Sequence, residues 1–562
     1  MTERDELELI VKGMTCHSCA LHVEKALQRV DGVEAAAVPG WESGKAMVTA
    51  VAGVSAEALT TAVRRAGYTA TLKSRRPTGH IATSNGGGGD FDLMVIGGGS
   101  AGFAAAIKGA ELGSKVALVE AGTMGGTCVN VGCVPSKTLI RSVELRHQAG
   151  QPRFRGIHTL PGPISWPEVI AHKDELVAEL RQAKYADVLA AYPAITYITG
   201  HARLTGRNGI EINGQRYAPR KIVIATGAHP WAPPIPGLAE AGYLTSTTAM
   251  DLQELPKSMI ILGANAVGLE LAQTFARAGA QVTVLELLPR IAPFEDEDIS
   301  AALASYLAEE GLQIVTSFQT TQVEKQNGLY IAGGRRNDTS SPSSWSSLSS
   351  SFTADQLLVA TGRRPHTAGL GLAEAGVRLG QRGEILVDET LRTDNPDVYA
   401  AGDVTGQEMF VYVAAYHGGL AAENALTNSG RAADTGYIPR ITFTDPQIAS
   451  AGLTEAQAWG EGYDVQTSVL PMIHVPRALA ARDTRGLIKL VVDGATDHLL
   501  GVHILAPEGG EIIQTAVLAL RFGLTMRQLR ETMFPYLTNA EGLKLAALAL
   551  EKDVAKLSCC AA

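Results

Sequence analysis

The chain of 562 residues is long enough for roughly three or four domains of ordinary size. Hydrophobic residues make up 46% and charged residues 19%, which is typical of a soluble globular protein, and the net charge of −9 gives no electrostatic reason to expect nucleic acid or an anionic membrane as a partner. No apolar run reaches the roughly 18 residues that would span a bilayer, and the polar, acidic start of the chain differs from a signal peptide. We therefore expect a cytoplasmic protein that neither inserts into a membrane nor binds nucleic acid.

The cysteines of this chain fall into close pairs with none left over. The three pairs are Cys16 with Cys19, Cys128 with Cys133, and Cys559 with Cys560. Cysteines scattered through a core would not sort in this way, so the pattern predicts dithiol chemistry or soft-metal binding at three places.

The first domain predicted along the chain comprises residues 1–72. Its apolar pattern gives a βαββαβ order, which is typical of a ferredoxin-like fold, with strands at 7–12, 33–38, 45–51 and 69–72 and helices at 20–30 and 56–66. Cys16 and Cys19 lie in the loop before the first helix, where two thiolates offer soft ligands to a thiophilic metal ion. Met14, in the same loop, is predicted to fill the core rather than to bind metal. Residues 73–90, with four consecutive glycines, are predicted to form a flexible linker.

A dinucleotide-binding pattern opens the next unit. A buried strand at 91–96 is followed by Gly97, Gly99 and Gly102, by a helix, and by a second strand that ends in Glu120. In this pattern the glycines allow a tight turn and a close approach of pyrophosphate, and the acid about 20 residues later binds a ribose 2′-hydroxyl.

The same pattern occurs a second time further along the chain. Gly263 and Gly268 follow a strand, and Glu286 ends the next strand, while Asn265 holds the middle glycine position. Two such sites predict one flavin and one nicotinamide nucleotide. A carboxylate at Glu286 favours a 2′-hydroxyl over a 2′-phosphate, and on its own it favours NADH.

Short strand-to-turn segments divide this part of the chain. The Thr-Gly turns at 226–227 and 361–362 are interpreted as crossings between two nucleotide domains, and Asp403, after a strand and a glycine, is placed to hydrogen-bond a flavin ribityl chain. The predicted divisions are a flavin domain at 91–235 and 363–436, a nicotinamide domain at 236–362, and a last domain at 437–562. The serine-rich stretch 333–352 is predicted to be a surface loop of the nicotinamide domain.

Cys128 and Cys133 lie in the motif Gly-Gly-Thr-Cys-Val-Asn-Val-Gly-Cys-Val-Pro-Ser-Lys. A thiolate near a helix N-terminus is stabilised by the partial positive charge there. The alternatives are a structural disulfide, which is rare in proteins of cytosolic character, and half of a zinc site, for which the spacing is wrong. The motif therefore favours redox chemistry.

Together these motifs resemble the pyridine nucleotide-disulfide oxidoreductases, and among them the mercuric reductases, with a heavy-metal-associated domain at the N-terminus. The resemblance implies a glutathione reductase-like α/β fold of two Rossmann-like domains, an α+β dimerisation domain at 437–562, and a homodimer. It implies FAD and either NADPH or NADH as cofactors, and reduction of Hg(II) to volatile Hg(0) in mercury detoxification. The mercury would arrive as a thiol complex or from a delivering protein.

The resemblance also assigns roles to individual residues. Cys133 would lie against the flavin, Cys128 would be the outer, exchanging cysteine, and Lys137 would place a positive charge near the isoalloxazine. Cys559 and Cys560 would pass mercury to this pair. The other residues carried over are Tyr243 and Tyr536 beside the metal, and Gly122, Thr127, Ala202 and Val411 at the FAD.

Two other functions compete with this one. A dihydrolipoamide dehydrogenase-like enzyme would carry a His-Pro-x-x-x-x-Glu segment whose histidine acts as acid and base, but here residues 534–541 read Phe-Pro-Tyr-Leu-Thr-Asn-Ala-Glu. A soft-metal chaperone or buffer would not need two dinucleotide patterns. The missing histidine is the observation that discriminates most.

Overall fold

The computed structural model describes residues 4–14, 17–38, 41, 44–51, 53–77, 90–337 and 345–556. Of the predicted metal ligands, Cys16, Cys559 and Cys560 lie outside these residues. None of the helices in the described parts of the chain combines the length and the apolar composition that crossing a bilayer requires.

The N-terminal domain has the predicted βαββαβ order. Its elements are β1 (Arg4–Lys12), α1 (His17–Gln28), β2 (Val33–Ala37), β3 (Lys45–Val51), α2 (Ala56–Arg65) and β4 (Thr69–Pro77). The strands form an antiparallel sheet in the order β2-β3-β1-β4. Leu7 and Leu9 alternate along β1 and pack with Met14, as predicted for that residue, and with Leu59 of α2. Ser55 caps α2 by accepting a hydrogen bond from the backbone of Ala58 at 3.1 Å.

The boundary predicted for the linker differs from the structure. β4 continues to Pro77, and residues 74–77 pair with β1. The backbone hydrogen bonds to β1 are available to any residue type, so the polar composition of this segment does not prevent it from forming a strand. Residues 78–89, which include the glycine run, lie outside the described residues.

The flavin domain is built on a five-stranded parallel sheet in the order β21-β11-β5-β6-β7. Its elements before the first crossing are β5 (Leu93–Ile96), α3 (Ser100–Glu111), β6 (Val116–Glu120), α4 (Gly126–Val131), α5 (Cys133–Ala149), α6 (Trp166–Arg181), α7 (Asp187–Ala190), β7 (Ile195–Thr199), β8 (Ala202–Leu204), β9 (Ile210–Ile212), β10 (Gln215–Tyr217) and β11 (Lys221–Ile224). All four residues of β5 are buried, as expected of a central parallel strand whose two faces are both covered.

The nicotinamide domain repeats this plan with a four-stranded parallel sheet in the order β15-β14-β13-β19. Its elements are α8 (Leu238–Ala241), α9 (Ser246–Ala249), β13 (Ser258–Leu262), α10 (Ala266–Ala278), β14 (Gln281–Leu285), α11 (Glu297–Glu309), β15 (Gln313–Val315), β16 (Phe318–Gln326), β17 (Leu329–Asn337), β18 (Trp345–Ala354) and β19 (Gln356–Val359), and the crossings carry β12 (Ala228–Pro230) and β20 (Arg363–Pro365). The strands β12 and β20 pair with each other, so the two crossings lie side by side.

The surface loop predicted at 333–352 is wrong for most of its length. β17 continues to Asn337, β18 begins at Trp345, and the two strands pair in an antiparallel sheet with β16. Serine supplies no packing, but the backbone ladder does not depend on side chains, and the strand is anchored at its end by Phe352, whose ring meets Phe318 edge-on at 5.4 Å. Composition alone therefore missed this strand.

After the second crossing the chain returns to the flavin domain and then forms the C-terminal domain. The returning elements are β21 (Val398–Ala400) and α12 (Val411–Thr427). The elements of the C-terminal domain are β22 (Arg440–Thr442), β23 (Gln447–Gly452), α13 (Glu455–Gly460), β24 (Val465–Pro471), α14 (Pro476–Ala481), β25 (Leu487–Asp493), β26 (Leu499–Ala506), α15 (Gly509–Arg521), α16 (Met526–Glu531) and α17 (Glu541–Ala549). Its five strands form an antiparallel sheet in the order β22-β23-β26-β25-β24. The fold class predicted from the sequence is confirmed.

Candidate redox and dinucleotide site

The first glycine of each dinucleotide pattern occupies the same backbone conformation. Gly97 has φ +112° and Gly263 has φ +102°, a region that residues with a Cβ atom rarely adopt. A Cβ atom at Gly97 would overlap the carbonyl oxygen of Ala225, and one at Gly263 would lie 2.7 Å from the carbonyl oxygen of Ala360. Both turns therefore require glycine for the same two reasons.

The middle position of the pattern explains why Asn265 is tolerated. Gly99 has φ −88° and ψ −170°, and Asn265 has φ −100° and ψ −173°. Both are extended conformations open to any residue, and each precedes the first turn of its helix. The third glycines, Gly102 and Gly268, lie inside those helices, where a Cβ atom would overlap the carbonyl oxygen of the first glycine.

The acids at the strand ends hold their own turns in place. Glu120 accepts hydrogen bonds from the backbone of Gly98 at 2.5 Å and of Gly122 at 2.7 Å. Glu286 accepts from the backbone of Ala264 at 2.6 Å and of the residue two positions after the acid at 2.8 Å. The two sites are thus repeats in hydrogen bonding as well as in backbone conformation.

A cavity of about 810 Å³ is lined by residues of both the flavin domain and the nicotinamide domain. The predicted cofactor and redox residues that line it are Gly97, Gly99, Glu120, Thr127, Cys128, Cys133, Lys137, Ala202, Asp403 and Val411. Val267 and Glu270, from α10 of the nicotinamide domain, line it too. Of the remaining predicted cofactor residues, Gly102, Gly122, Gly263, Gly268 and Glu286 lie outside the lining.

Residues of this lining fit a dinucleotide. The turn from Gly97 to Gly99 leaves room for a pyrophosphate because it has no side chains, and Glu120 stands beside it. Lys137 and the cysteine pair line the same cavity, where they can contact the redox-active ring of a bound flavin. The second turn, with Glu286, supplies the corresponding elements for a nicotinamide nucleotide.

The two cysteines lie on successive helices. Cys128 is in α4, and Cys133 is the first residue of the 17-residue helix α5. Both are unbonded thiols, and their side chains are hydrogen-bonded to each other. This bond, together with the charge of Lys137, lowers the pKa of Cys133 to about 7, while it raises the pKa of Cys128. The site therefore favours a thiolate at Cys133 and a thiol at Cys128.

Lys137 has a partner that the sequence did not reveal. Its Nζ atom lies 2.7 Å from Oε2 of Glu270, a residue of α10 that is 6% exposed. The partner lies 133 positions away in another domain, and nothing in the spacing of the sequence connects the two. The ion pair of Lys137 and Glu270 joins α5 of the flavin domain to α10 of the nicotinamide domain.

Arg363 is a second residue that the sequence prediction missed. Its guanidinium lines the cavity and donates hydrogen bonds to the carbonyl oxygen of Ala228 and, at 3.4 Å, to Oγ1 of Thr127. Burial raises the pKa of Asp403, an effect that the nearby charge of Arg363 opposes. A basic residue directly after the Thr-Gly turn at 361–362 was the available signal.

The two predicted tyrosines are not brought to the cysteine pair. Tyr243 precedes the bridge between Leu244 and Leu358, and Tyr536 lies between α16 and α17 with 52% of its surface exposed. Neither lines the cavity. Cys19 is half-buried in α1. The described residues contain no group of three or more His, Cys, Asp or Glu side chains that could hold a metal ion, whereas a dithiol site has only two such side chains.

Two dinucleotide turns, one of them in the wall of a cavity that the cysteine pair also lines, define a class of enzyme in which electrons pass from a nicotinamide nucleotide through a flavin to a disulfide. In agreement, a family model described as pyridine nucleotide-disulphide oxidoreductase matches residues 91–418, and one for the dimerisation domain of such proteins matches residues 438–547. A heavy-metal-associated domain matches residues 8–69. The chain belongs to the pyridine nucleotide-disulfide oxidoreductase family.

Relatives within this family carry a more specific name. A mercuric reductase from Staphylococcus aureus is 43% identical over 99% of this chain and 100% of its own length. One from Streptomyces lividans is 46% identical over 84% of this chain and 98% of its own length. Among solved structures, the Cu(II) complex of the HOCl-induced flavoprotein disulfide reductase RclA from Escherichia coli is 31% identical, covers 82% of this chain and 99% of its own, and has a TM-score of 0.73.

Proposed function

We propose that this chain reduces Hg(II) to volatile Hg(0) with electrons from NADPH or NADH, and so serves mercury detoxification. The observation that carries the proposal is the pair of free, mutually hydrogen-bonded thiols, Cys128 and Cys133, in the wall of the dinucleotide cavity. A full-length relative 43% identical to this chain is named mercuric reductase, which supports the choice of metal.

FAD, when bound, supplies two-electron transfer between the nicotinamide and sulfur. Cys133 and Cys128 then serve as the two ligands that hold Hg(II) during its reduction, since thiolates are the preferred ligands of soft metals. The low pKa of Cys133 keeps a thiolate available near neutral pH, and the Cys128 thiol yields its proton as it binds the metal. Lys137 supplies a positive charge beside Cys133.

The remaining cysteines are proposed to form a relay. Cys16 and Cys19 would take mercury from a thiol complex or a delivering protein, and Cys559 and Cys560 would pass it to the pair in the cavity by ligand exchange. Each step replaces one thiolate ligand by another, so the metal is never released as a free ion.

A homodimer is part of the proposal. The match of residues 438–547 to a dimerisation domain supports it. In a dimer the exposed Tyr536 would act at the site of the partner subunit, which would account for its absence from the cavity lining of its own chain. Tyr243 is proposed to stand beside the metal as well. A cytoplasmic location is the corresponding prediction for such an enzyme.

The choice of nicotinamide nucleotide stays open. Both carboxylate oxygens of Glu286 accept hydrogen bonds from its own turn, and the residue is 7% exposed. A carboxylate already engaged in this way discriminates less sharply between a 2′-hydroxyl and a 2′-phosphate than a free one. We therefore propose that either NADPH or NADH can serve as donor.

The test uses anaerobic, FAD-loaded protein with excess small thiol, HgCl₂, and NADPH or NADH. Expected are mercury-dependent oxidation of the nicotinamide and loss of volatile mercury, both abolished by Cys133→Ala and kept by a matched surface change, Thr496→Ala. Absence of mercury-dependent oxidation with either nucleotide would contradict the proposal. Rapid turnover of lipoamide instead would favour the dehydrogenase alternative, and stoichiometric binding without oxidation would favour a metal buffer.

A further inference from the structure

Phe443, which directly follows β22, contacts both members of the Lys137–Glu270 pair. The centroid of its ring lies 4.5 Å from Nζ of Lys137, within the range of a cation–π interaction. Its backbone N–H donates a hydrogen bond to Oε1 of Glu270 at 2.9 Å, while the other carboxylate oxygen, Oε2, receives Lys137 at 2.7 Å. One residue thus holds the cation through its ring and the anion through its backbone.

This contact joins three domains at one ammonium group. Lys137 belongs to α5 of the flavin domain, Glu270 to α10 of the nicotinamide domain, and Phe443 to the C-terminal domain. Lys137 is one helical turn after Cys133 and lines the dinucleotide cavity. Its position is therefore fixed by residues of two other domains.

Lys137 and Phe443 also line a second cavity, of about 320 Å³, between α5 and the C-terminal domain. Glu270 attracts the ammonium and cancels much of its field, whereas an aromatic face attracts a cation without neutralising it. The ring therefore helps to preserve the positive potential that Lys137 projects into the dinucleotide cavity.

We propose that Phe443 is a positioning residue that sets Lys137 and thereby raises the reduction potential of the bound flavin. A hydride from the nicotinamide adds two electrons and one proton to the flavin, which leaves a net negative charge on the reduced ring system. A well-placed ammonium stabilises that charge. The inference rests on the flavin chemistry of the proposed function but not on mercury as the final acceptor.

Substitution of Phe443 isolates the ring, because every substitution keeps the backbone N–H that holds Glu270. We would measure the ratio of reduced to oxidised flavin in FAD-loaded protein equilibrated, without mercury, with a reference dye of fixed potential. Phe443→Leu is expected to lower this ratio by about threefold, the order of a partly exposed cation–π contact. Phe443→Tyr keeps a π-face and should match the unsubstituted protein.

Phe443→Trp is expected to change the ratio of reduced to oxidised flavin in the opposite direction to Phe443→Leu. Tryptophan has the strongest π-face, so the ratio should rise above that of the unsubstituted protein. The matched control is Phe352→Leu, which removes an aromatic contact with Phe318 in the sheet of β16, β17 and β18 and should leave the ratio unchanged. In a Lys137→Met background, Phe443→Leu should have no effect, which separates positioning from general loosening of the structure.

An unchanged ratio in Phe443→Leu would overturn the inference, and so would an equal effect of that change in the Lys137→Met background. If Phe443→Leu cannot be obtained with bound FAD, Phe443→Trp decides, and a ratio no higher than that of the unsubstituted protein overturns the inference. Because mercury is absent from the measurement, a shifted ratio combined with no mercury-dependent oxidation would refute the proposed function and leave this inference intact.

Discussion

The side chains of Cys128 and Cys133 are hydrogen-bonded to each other, and this contact shifts the pKa values of the two thiols in opposite directions. It lowers the pKa of Cys133 to about 7 and raises that of Cys128. Burial opposes ionisation of Cys133, and Lys137 favours it. The pair is therefore expected to carry one negative charge near neutral pH, on the cysteine that begins α5.

Removal of the hydrogen-bond donor should raise the pKa of Cys133. In Cys128→Ala the thiolate fraction of Cys133 at pH 7 should fall from about half toward the few per cent expected of a cysteine with a pKa near 8.5. The measurement is the rate of iodoacetamide modification of Cys133 from pH 5 to 10, in a background where Cys16, Cys19, Cys559 and Cys560 are alanine. Cys128→Ser, which keeps a donor, is the control. Equal profiles for Cys128→Ala and the unsubstituted pair would show that the hydrogen bond has no such role.

The turn at Gly97 gives a test of flavin binding. Gly97→Ala places a Cβ atom against the carbonyl oxygen of Ala225 at a φ of +112°, so the turn must distort. We expect purified Gly97→Ala protein to retain less than about a tenth of the flavin bound by the unsubstituted protein, as read from its visible absorbance. Gly419→Ala in α12, where a Cβ atom meets nothing within 4 Å, is the matched control and should bind normally. Full flavin content in Gly97→Ala would show that the turn is not needed for binding.

The glycine patterns, the acids after the strands and the cysteine pair could be predicted because each depends on residues close together in the sequence. Glu270 could not, because its relation to Lys137 arises only when α10 is packed beside α5. Phe443 could not be predicted either, because its contact with the same lysine needs a third domain. Local patterns thus identify the residues expected to contact the cofactors and the metal. The residues that position Lys137 are brought to it only by the packing of domains.

The serine-rich segment shows a different limit. The low hydrophobicity of this segment predicts a loop, yet β18 forms there. Antiparallel pairing with β17 satisfies the backbone whatever the side chains are, and Phe352 and Ala354 anchor the end of the strand. A strand that keeps one face in water needs few apolar residues.

The C-terminal cysteine pair is expected to matter for delivery but not for the redox pair itself. The variant Cys559→Ala/Cys560→Ala should lose turnover of thiol-bound mercury, because the route of ligand exchange is interrupted, yet it should keep the long-wavelength charge-transfer band between the Cys133 thiolate and FAD. The turnover and the charge-transfer band are both measured by absorbance on one anaerobic sample, with Ser558→Ala as control. Unchanged turnover would remove the C-terminal pair from the proposed relay.

Lys489 joins the nicotinamide and C-terminal domains, and its substitution should destabilise the protein strongly. Its Nζ atom contacts Asp296 at 2.9 Å, Asp298 at 2.7 Å and Glu455 at 2.6 Å, and its side chain is 4% exposed. Lys489→Met leaves the buried Asp296 without its cation, which should cost about 3–5 kcal/mol in the free energy of unfolding. Urea unfolding measures this loss, with Arg521→Met as control, because its exposed ion pair with Asp434 should contribute at most about 1 kcal/mol.

The loss should also depend on pH in a defined direction. Burial raises the pKa of Asp296, but the hydrogen bond and charge of Lys489, the charge of His503 and the backbone hydrogen bond from Glu455 together outweigh it, and the pKa lies below the ordinary value. A carboxyl whose pKa is lowered on folding contributes stability that is complete above its unfolded pKa, near 3.9, and is lost as the pH falls through the folded pKa. The difference between unsubstituted protein and Lys489→Met should therefore be full at pH 6 and shrink below about pH 4. A difference that grows on acidification would contradict an ionised Asp296 as the partner of Lys489.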